Sequence, residues 1–234
     1  MLRSVCAKAH SKLTDCTVCE ISQAVFLFLS IEIIQGILIM AILIATRNAH
    51  KLQEIREMLP GVELIGTDAF PQVPDPVEDG ATFEANAAIK AIAWAKATGL
   101  TAVADDSGLE VDALGGAPGI HSARYAGVHG DTAANNAKLL HELEGVEASK
   151  RTARFVCALA IATPEGVVKT LRGACEGAIL VDAAGANGFG YDPLFVPNGY
   201  TDSFGVLPDA VKAGISHRAK AFQAAREAWA DFLR

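Results

Sequence analysis

The chain of 234 residues is 51% hydrophobic and carries a formal net charge of -7 at pH 7. This length and composition suit one packed α/β domain, or at most two, and argue against a largely disordered chain. The sequence has no cluster of lysine and arginine of the kind that displaces counterions, so nucleic acid is not an expected partner. The five cysteines are odd in number and unevenly spaced, so they do not suggest a disulfide framework.

The first 39 residues differ in character from the rest. Their charges cancel, so the whole net charge of -7 lies in residues 40–234; the charged side chains are Arg3, Lys8, Lys12, Asp15, Glu20 and Glu32. An apolar run extends from Ile21 to Ile44 and is long enough to cross a bilayer. Glu32 and Gln35 at its centre count against a membrane span, and no small-residue cleavage site follows it.

Three interpretations of this N-terminal extension stay open. It can be a membrane anchor, an additional helix packed on the body, or an upstream segment outside the native protein. We favour the third, because the sequence after Met40 already has the composition of a buried first strand. We therefore expect one domain over residues 40–234. A C-x-x-C at Cys16 and Cys19 lacks the second ligand pair of a zinc finger, so ordinary thiols are favoured there over zinc or redox chemistry.

The body begins with alternating strands and helices. The predicted elements are, in order, a strand over Ala41–Ala45, a helix over Asn48–Leu59, a strand over Val62–Ile65, a loop over Gly66–Gly80, a helix from the Thr82 cap to Ala97, and a strand over Thr101–Ala104. Gly99 ends the long helix. The expected core-facing stripe of that helix is Ala85, Ile89, Ile92 and Ala93.

Hairpins and loops follow in the second half. The predicted elements are a strand over Leu109–Ala113, a glycine-rich loop over Gly115–Gly130, a helix from the Asp131 cap to about Leu143, a hairpin of Thr152–Thr163 and Val167–Ala174, an extension of the sheet over Glu176–Val181, a loop-rich stretch over Gly185–Tyr200, and a last helix capped by Ser216. In that last helix Phe222, Ala225, Trp229 and Leu233 share one face. The whole order predicts an α/β fold with a mixed sheet flanked by helices.

The first candidate site is the turn between the first strand and the first helix. It consists of Thr46, Arg47, Asn48, Ala49, His50 and Lys51. Unpaired N–H groups at a helix start attract anions, and Lys51 adds a cation in the first turn. The turn matches neither a Walker loop nor a dinucleotide fingerprint. An ordinary turn capped by Asn48 is the alternative interpretation.

The second candidate site is a pair of carboxylates, Asp105 and Asp106, expected where an apolar strand ends. Ligands of open α/β sheets bind outside the carboxyl ends of strands, and adjacent carboxylates there are costly unless solvated or bound to metal. Glu78, before the long helix, can complete an oxygen-rich Mg²⁺ site. The alternative is an Asp-Ser-Gly turn in which a carboxylate caps the backbone.

Two further segments offer groups for a nucleotide. Gly188-Phe189-Gly190-Tyr191-Asp192-Pro193 sets two aromatic rings among small residues, and such rings can stack on a base. Ser216-His217-Arg218 opens the last helix, where an anion or an oxo group meets N–H groups and a guanidinium, and Lys212 lies just before it. A packed loop and a capped helix are the structural alternatives.

Together these segments resemble the inosine triphosphate pyrophosphatase family. The matching pieces, in the family's order, are ATRNAHKLQEI, VEDGATFEANAAIKA, ADDSGLEVDALGGAPGIHSARYAG, GFGYDPLFVP and ISHRAKAF. The resemblance covers Met40 to Arg234, and the extension before it has no counterpart. Two departures are visible: the family usually carries glycine at the position of Arg47, and its acidic motif is commonly one residue longer than Glu78-Asp79-Gly80.

The resemblance implies a role for each segment. Residues Thr46 to Lys51 would hold the phosphates, with Lys51 as the main cation, and Ser107 would contact the substrate. Glu78 and Asp106 would place Mg²⁺, Asp106 would accept the proton of the attacking water, and Asp105 would support the metal shell. Phe189, Gly190, Tyr191, Asp192, Lys212, His217 and Arg218 would form the nucleotide and base pocket. The family fold is an elongated mixed sheet with two lobes around a central cleft, usually in a homodimer.

The implied activity is hydrolysis of non-standard purine nucleoside triphosphates (dITP or ITP, and XTP) to a monophosphate and pyrophosphate, in the cytoplasm. A 6-oxo base presents an acceptor to Arg218, His217 or a backbone N–H, whereas adenine presents a donor there. The alternatives are a Maf-like pyrophosphatase acting on dTTP, UTP or modified nucleotides, and a nucleotide-binding module without catalysis. A protein anchored in the membrane by the extension is a further alternative.

Overall fold

The computed structural model describes residues 41–166 and 168–232. The predictions for the N-terminal extension, including its three interpretations, lie outside these residues. None of the helices in the described ranges is both long enough and apolar enough to span a bilayer.

A six-stranded mixed sheet forms the centre of the described residues. The strands are β1 (Ile42–Ile44), β2 (Leu64–Gly66), β3 (Ala102–Val111), β4 (Thr152–Ala162), β5 (Val168–Ile179) and β6 (Phe195–Pro197). Their order is β2-β1-β3-β4-β5-β6. β1 runs parallel to β2 and β3, and the other neighbours are antiparallel. The predicted mixed sheet flanked by helices is confirmed.

The helices begin and end at residues with clear local reasons. They are α1 (Ala49–Met58), α2 (Phe83–Thr98), α3 (Thr132–Glu142), α4 (Asp209–Ile215) and α5 (His217–Ala228). The side chains of Asn48, Thr82, Asp131 and Ser216 accept hydrogen bonds from N–H groups of the first turns of α1, α2, α3 and α5. Gly99 ends α2 in the left-handed conformation, where a residue without Cβ is unstrained. Capping residues were therefore reliable markers of helix ends.

The two faces of the sheet carry different helices. On one face, α2 packs Phe83, Ala87, Ala91 and Trp94 against alternate residues of β1, β3 and β4. On the other face, α1 and α5 pack against the remaining set, which includes Val103, Cys157 and Leu159. A third cluster, centred on Phe155, Phe195 and Phe204, fills the end of the sheet near β6. Successive residues of β3 thus enter separate cores.

Several sequence predictions were wrong in detail. The buried stripe of α2 is Phe83, Ala87, Ala91, Trp94 and Ala95, whereas the predicted positions Ala85, Ile89, Ile92 and Ala93 are only partly buried. The helix is so rich in alanine that it offers two stripes, and the sheet packs on the one with the larger aromatic anchors. β3 runs unbroken through Asp105–Gly108, where a strand end had been predicted. The short elements β6 and α4 had not been predicted.

Candidate functional site

The site lies where β1 stops and β3 continues. Only Leu43 and Ile44 of β1 pair with β3, and the chain then turns, with the Thr46 N–H donating to the Ile44 carbonyl at 2.9 Å. β3 extends eight residues, from Ala104 to Val111, beyond Val103, its last partner on that side. The carboxyl end of a parallel strand is thereby opened beside two aspartates, the position where α/β sheets bind ligands.

Asp105 is buried and both of its carboxylate oxygens are occupied. Lys51 Nζ lies 2.8 Å from Oδ1. Oδ2 accepts from Ser107 Oγ at 2.7 Å and from Arg218 Nη2 at 3.0 Å. Burial alone would raise the pKa of Asp105, but the charges of Lys51, Arg218 and Lys90 hold that pKa well below its usual value. A saturated anion of this kind anchors α1 and α5 to β3 and has no free oxygen for a metal.

Asp106 faces α2 and is more accessible. Its Oδ2 accepts from Asn86 Nδ2 at 3.2 Å, and Lys90 Nζ lies 3.6 Å from Oδ1. The same Lys90 ammonium is 3.0 Å from Glu78 Oε2, so one cation bridges two carboxylates. Burial raises the pKa of Asp106, Lys90 and Lys51 oppose that rise, and the nearby Glu78 adds to it. A carboxylate with a raised pKa and only one fixed hydrogen bond can accept a proton.

The turn over Thr46–Lys51 is an ordered helix cap held by several long-range contacts. Asn48 Oδ1 accepts from the N–H groups of His50 and Lys51, at 3.0 and 3.2 Å. Thr46 is held from both sides, since its hydroxyl accepts from the Asn48 N–H and its carbonyl accepts from the Thr67 hydroxyl. Arg47 points to a distant loop and pairs with Asp75. The ammonium of Lys51, which has three donors, remains the cation that faces the carboxylates.

The loop over Gly188–Asp192 is organised by its aspartate. Asp192 Oδ2 accepts from the Phe189 N–H at 2.7 Å and from Lys212 Nζ at 2.8 Å. Gly188 has φ +71°, and a Cβ there would lie 2.1 Å from Asp192 Oδ2, so glycine is required. Tyr191 is buried in the Phe155 cluster, where its hydroxyl donates to the Ser122 carbonyl. Tyr191 therefore supports the loop from beneath, and Phe189 is the ring on the cleft side.

An alternating series of charges connects this loop to Asp105. Glu54 on α1 lies between Lys212, 3.1 Å from its Oε1, and Arg218, which pairs with its Oε2. Arg218 in turn binds Asp105, and Lys212 binds Asp192. All three guanidinium nitrogens of Arg218 are engaged in these contacts. The series fixes α1, α4, α5 and the loop relative to one another.

A cleft of about 600 Å³ opens on the α1 side of this series. Its lining includes His50, Glu54, Phe189, Lys212, Ser216 and Phe222. The His50 and Phe189 rings stack with their centroids 5.4 Å apart, and Lys212 Nζ lies 4.5 Å from the Phe189 centroid. The cleft thus offers an aromatic surface beside an ammonium group, which suits a planar ligand.

His217 lies at the boundary of this region and is buried. Its ring stacks on Phe155 at 4.9 Å, and its Nδ1 has no hydrogen-bond partner among the described residues. Burial and the neighbouring charges of Arg218 and Lys212 hold the pKa of His217 well below its usual value. The ring is therefore neutral, with one nitrogen carrying a hydrogen and the other able to accept.

The donor set fits a magnesium ion only with help from a substrate. No group of three or more histidine, cysteine, aspartate or glutamate side chains gathers as a metal site in the described ranges. Glu78 and Asp106 do share the Lys90 ammonium, which shows that the two carboxylates already attract one cation. Mg²⁺ is commonly held by one or two carboxylates together with phosphate oxygens and water. These two side chains fit that pattern.

Three site residues were missed by the sequence analysis: Glu54, Asn86 and Lys90. Asn86 and Lys90 lie one turn apart on α2 and both reach Asp106. Two polar residues one turn apart in the alanine-rich middle of this helix were the available signal. Glu54 carried no such signal, because its partners Lys212 and Arg218 lie more than 150 residues away in the chain.

The fold and the site together define an α/β protein with carboxylates, lysines and an aromatic cleft at the open end of a parallel strand. The family model of the Ham1 family matches residues 42–228. The chain belongs to the Ham1 family. Residues 1–41 lie outside that match.

Named relatives cover nearly the same stretch. The dITP/XTP pyrophosphatase of Desulforamulus reducens is 50% identical over 190 residues, 80% of this chain and 94% of that protein. The dITP/XTP pyrophosphatase of Nitratidesulfovibrio vulgaris is 51% identical over 202 residues, 82% and 97% of the two chains. The resemblance drawn from the sequence motifs is thereby confirmed.

Solved structures agree with the fold. A Ham1 protein from Coxiella burnetii superposes with a TM-score of 0.75 at 38% identity, covering 82% of this chain and 99% of that one. The dITP/XTP pyrophosphatase from Mycobacterium abscessus gives a TM-score of 0.68 at 48% identity, covering 79% and 98%.

Proposed function

We propose that this protein hydrolyses non-standard purine nucleoside triphosphates, dITP or ITP and XTP, to the monophosphate and pyrophosphate. The observation that carries the proposal is the centre formed by Asp106, Glu78 and Lys90 at the open edge of β3. Relatives about half identical to this chain and named dITP/XTP pyrophosphatases support the choice of substrate. The carboxylates, the cations and the aromatic cleft each supply one requirement of this reaction.

The triphosphate would lie between the α1 turn and α2. Lys51 lies beside Asp105 and Lys90 beside Asp106, so both ammonium groups can neutralise phosphate charge. Magnesium held by Glu78 and Asp106 would withdraw charge from the phosphate oxygens. Because Asp105 already balances Lys51 and Arg218, the centre stays charged but ordered before substrate arrives.

Asp106 would act on the water. Water oxygen attacks the α-phosphorus while the bond to the α,β-bridging oxygen breaks, so pyrophosphate leaves and the monophosphate remains. The proton of the water passes to the Asp106 carboxylate, whose raised pKa favours that transfer. Lys51 and Lys90 would stabilise charge on the departing pyrophosphate.

The base would occupy the cleft beside Phe189. The His50 and Phe189 rings provide the stacking surface, and the Lys212 ammonium, 4.5 Å from the Phe189 centroid, can donate to a 6-oxo acceptor. Adenine places a donor at that position, which leaves a buried donor unpaired and disfavours it. Arg218 supports the pocket through Asp105 and Glu54, since its guanidinium is already fully engaged.

A substrate panel with product analysis tests this proposal. dITP, XTP, GTP, dTTP and UTP are each incubated with Mg²⁺, and the nucleotide product and pyrophosphate are quantified. We expect dITP and XTP to be cleaved with the highest kcat/KM, and no turnover without a divalent cation. Preferred cleavage of dTTP or UTP would favour the Maf-like alternative. Binding of dITP without release of pyrophosphate would favour the non-catalytic alternative.

We further propose that the enzyme works as a cytoplasmic homodimer, as the family resemblance implies. The exposed apolar side chains Val128, Tyr200 and Val206 are available to an interface. Light scattering coupled to gel filtration measures the mass of the native protein directly. A monomeric mass at working concentration would contradict the homodimer.

A further inference from the structure

Arg47 departs from the glycine usual at its position, and its contacts supply a physical account. Arg47 Nε lies 2.7 Å from Asp75 Oδ2, and Nη2 donates to the Val73 carbonyl at 2.9 Å. Two donors of one planar guanidinium thus hold two acceptors on a loop 26 residues further along the chain. This fork fixes direction as well as distance, which a lysine ammonium does not.

The loop so held leads directly to Glu78. Its start is fixed because Val73 packs on the α2-side core, and its end is fixed because the Gly80 N–H donates to Asn86. Between them, the polar contacts recorded for residues 74–79 within the described ranges are two ion pairs, Arg47 with Asp75 and Lys90 with Glu78. The side chain of Val77 is 79% exposed, so apolar packing contributes little there.

Two prolines stiffen the loop that Arg47 holds. Pro74 and Pro76 flank Asp75, and proline restricts both its own φ and the conformation of the residue before it. A stiff segment loses little entropy when Arg47 binds it, and it transmits the restraint to Glu78 two residues beyond Pro76.

We propose that Arg47 is a positioning residue that ties the phosphate-binding turn to the loop bearing Glu78. The inference rests on the proposed function and goes beyond it by assigning Arg47 to the geometry of the carboxylate centre instead of to the phosphates. Arg47 then fixes the distance between the Thr46–Lys51 turn, which would bind the triphosphate, and Glu78, which shares the Lys90 ammonium with Asp106. A displacement of about 1 Å in such a centre is enough to slow a reaction strongly.

The test compares Arg47→Gly, Asp75→Asn, the double variant and Arg47→Lys. Arg56→Ala is the matched control, since it removes an exposed positive charge from α1 that has no recorded ion pair. For each protein, kcat and KM for dITP are measured over a Mg²⁺ series. Amide hydrogen exchange of residues 74–79 is measured separately, without nucleotide or metal.

We expect Arg47→Gly and Asp75→Asn each to lower kcat at subsaturating Mg²⁺ by about twofold to fivefold, the range of an exposed ion pair. The double variant should be no worse than either single variant, because both changes break one contact. Exchange of residues 74–79 should accelerate in both single variants, less in Arg47→Lys, and not in Arg56→Ala.

A direct phosphate role for Arg47 predicts a different pattern. Arg47→Gly would then raise KM for dITP, while Asp75→Asn would free the guanidinium and lower KM. That pattern, or unchanged exchange at residues 74–79, would overturn the proposal. If the wild-type protein releases no pyrophosphate from any purine triphosphate, the proposed function fails. The exchange comparison still tests whether Arg47 restrains residues 74–79.

Discussion

Asp105 and Asp106 are consecutive in the chain, yet their carboxylates lie on opposite faces of the sheet. Asp105 meets Lys51 of α1 and Arg218 of α5, whereas Asp106 meets Asn86 and Lys90 of α2. The alternation of a strand separates them, and the end of β1 leaves both beside the same opening. One carboxylate therefore holds the fold together while its neighbour is left available for chemistry.

Replacing Asp105 should damage stability first. Asp105→Asn leaves Lys51 and Arg218 without their buried counter-charge, and we expect a loss of about 3–5 kcal/mol in the free energy of unfolding at pH 7. Urea unfolding followed by circular dichroism measures it. The control is Asp112→Asn, an exposed carboxylate paired with Arg154, for which we expect about 0–1 kcal/mol.

The pH dependence of that difference has a defined sign. The folded-state pKa of Asp105 lies below its usual value of 3.8, so its contribution is fully present above the unfolded pKa and is lost as pH falls through the folded pKa. The gap between wild type and Asp105→Asn should stay constant from pH 7 to pH 5 and narrow only below about pH 4. A gap that closes between pH 7 and pH 5 would contradict this assignment.

Replacing Asp106 should remove activity while leaving binding. Asp106→Asn keeps the shape and the contact with Asn86 but removes the proposed proton acceptor, so we expect pyrophosphate release to fall by at least about 10²-fold. Calorimetric titration with dITP and Mg²⁺ should still show binding. Asp79→Asn, an exposed neighbour of Glu78, serves as the control. Near-normal turnover by Asp106→Asn would assign the base elsewhere.

Replacing Lys90 should slow the reaction and shift its pH profile. Lys90→Met removes the cation shared by Glu78 and Asp106, and we expect kcat to fall about 10²–10³-fold. Lys90 also holds down the pKa of Asp106, so that pKa should rise further and the acid limb of kcat/KM should move to higher pH. Lys96→Met, on the exposed side of α2, should change neither quantity.

Gly173 in β5 allows α5 to pack close to the sheet. A Cβ on Gly173 would lie 2.3 Å from the His217 carbonyl and 2.5 Å from the Ala221 nitrogen, so the helix start approaches the sheet closely. Gly173→Ala should push α5 outward and cost about 1–3 kcal/mol of stability. Gly214→Ala, where a Cβ meets nothing within 4 Å, should be neutral or slightly stabilising, and thermal unfolding of both variants measures the difference.

Local signals in the sequence predicted the helices well. The caps at Thr82, Asp131 and Ser216 act within one turn, so their effect is legible from neighbouring residues alone. Long-range pairing was harder to predict. Asp105-Asp106-Ser107-Gly108 has the composition of a turn, but pairing with β4 over ten residues keeps it extended. The charges that stabilise Asp105 come from positions 54 and 113 residues away.

The candidate site was predicted by motif and corrected by geometry. The turn over Thr46–Lys51 lies beside the aspartates through Lys51 and beside the Phe189 loop through His50. The role of each residue, in the core, as an anchor or at the open site, could not be predicted, because it depends on which face its side chain occupies. Tyr191 became a core residue and Arg218 an anchor, while Lys90 joined the centre from a helix predicted only to pack.

The buried thiol of Cys157, next to Asp105, can report on opening of the sheet. Cys157 is buried on β4 with its sulfur 3.8 Å from Asp105 Oδ2, and burial together with that carboxylate raises the pKa of its thiol to about 12. Alkylating reagents need the thiolate and need access, so modification must wait for the strands to separate. The labelling rate of Cys157 in native buffer therefore measures how often β4 separates from its neighbouring strands. Slower labelling in the presence of substrate would show that the bound nucleotide reduces opening of the sheet.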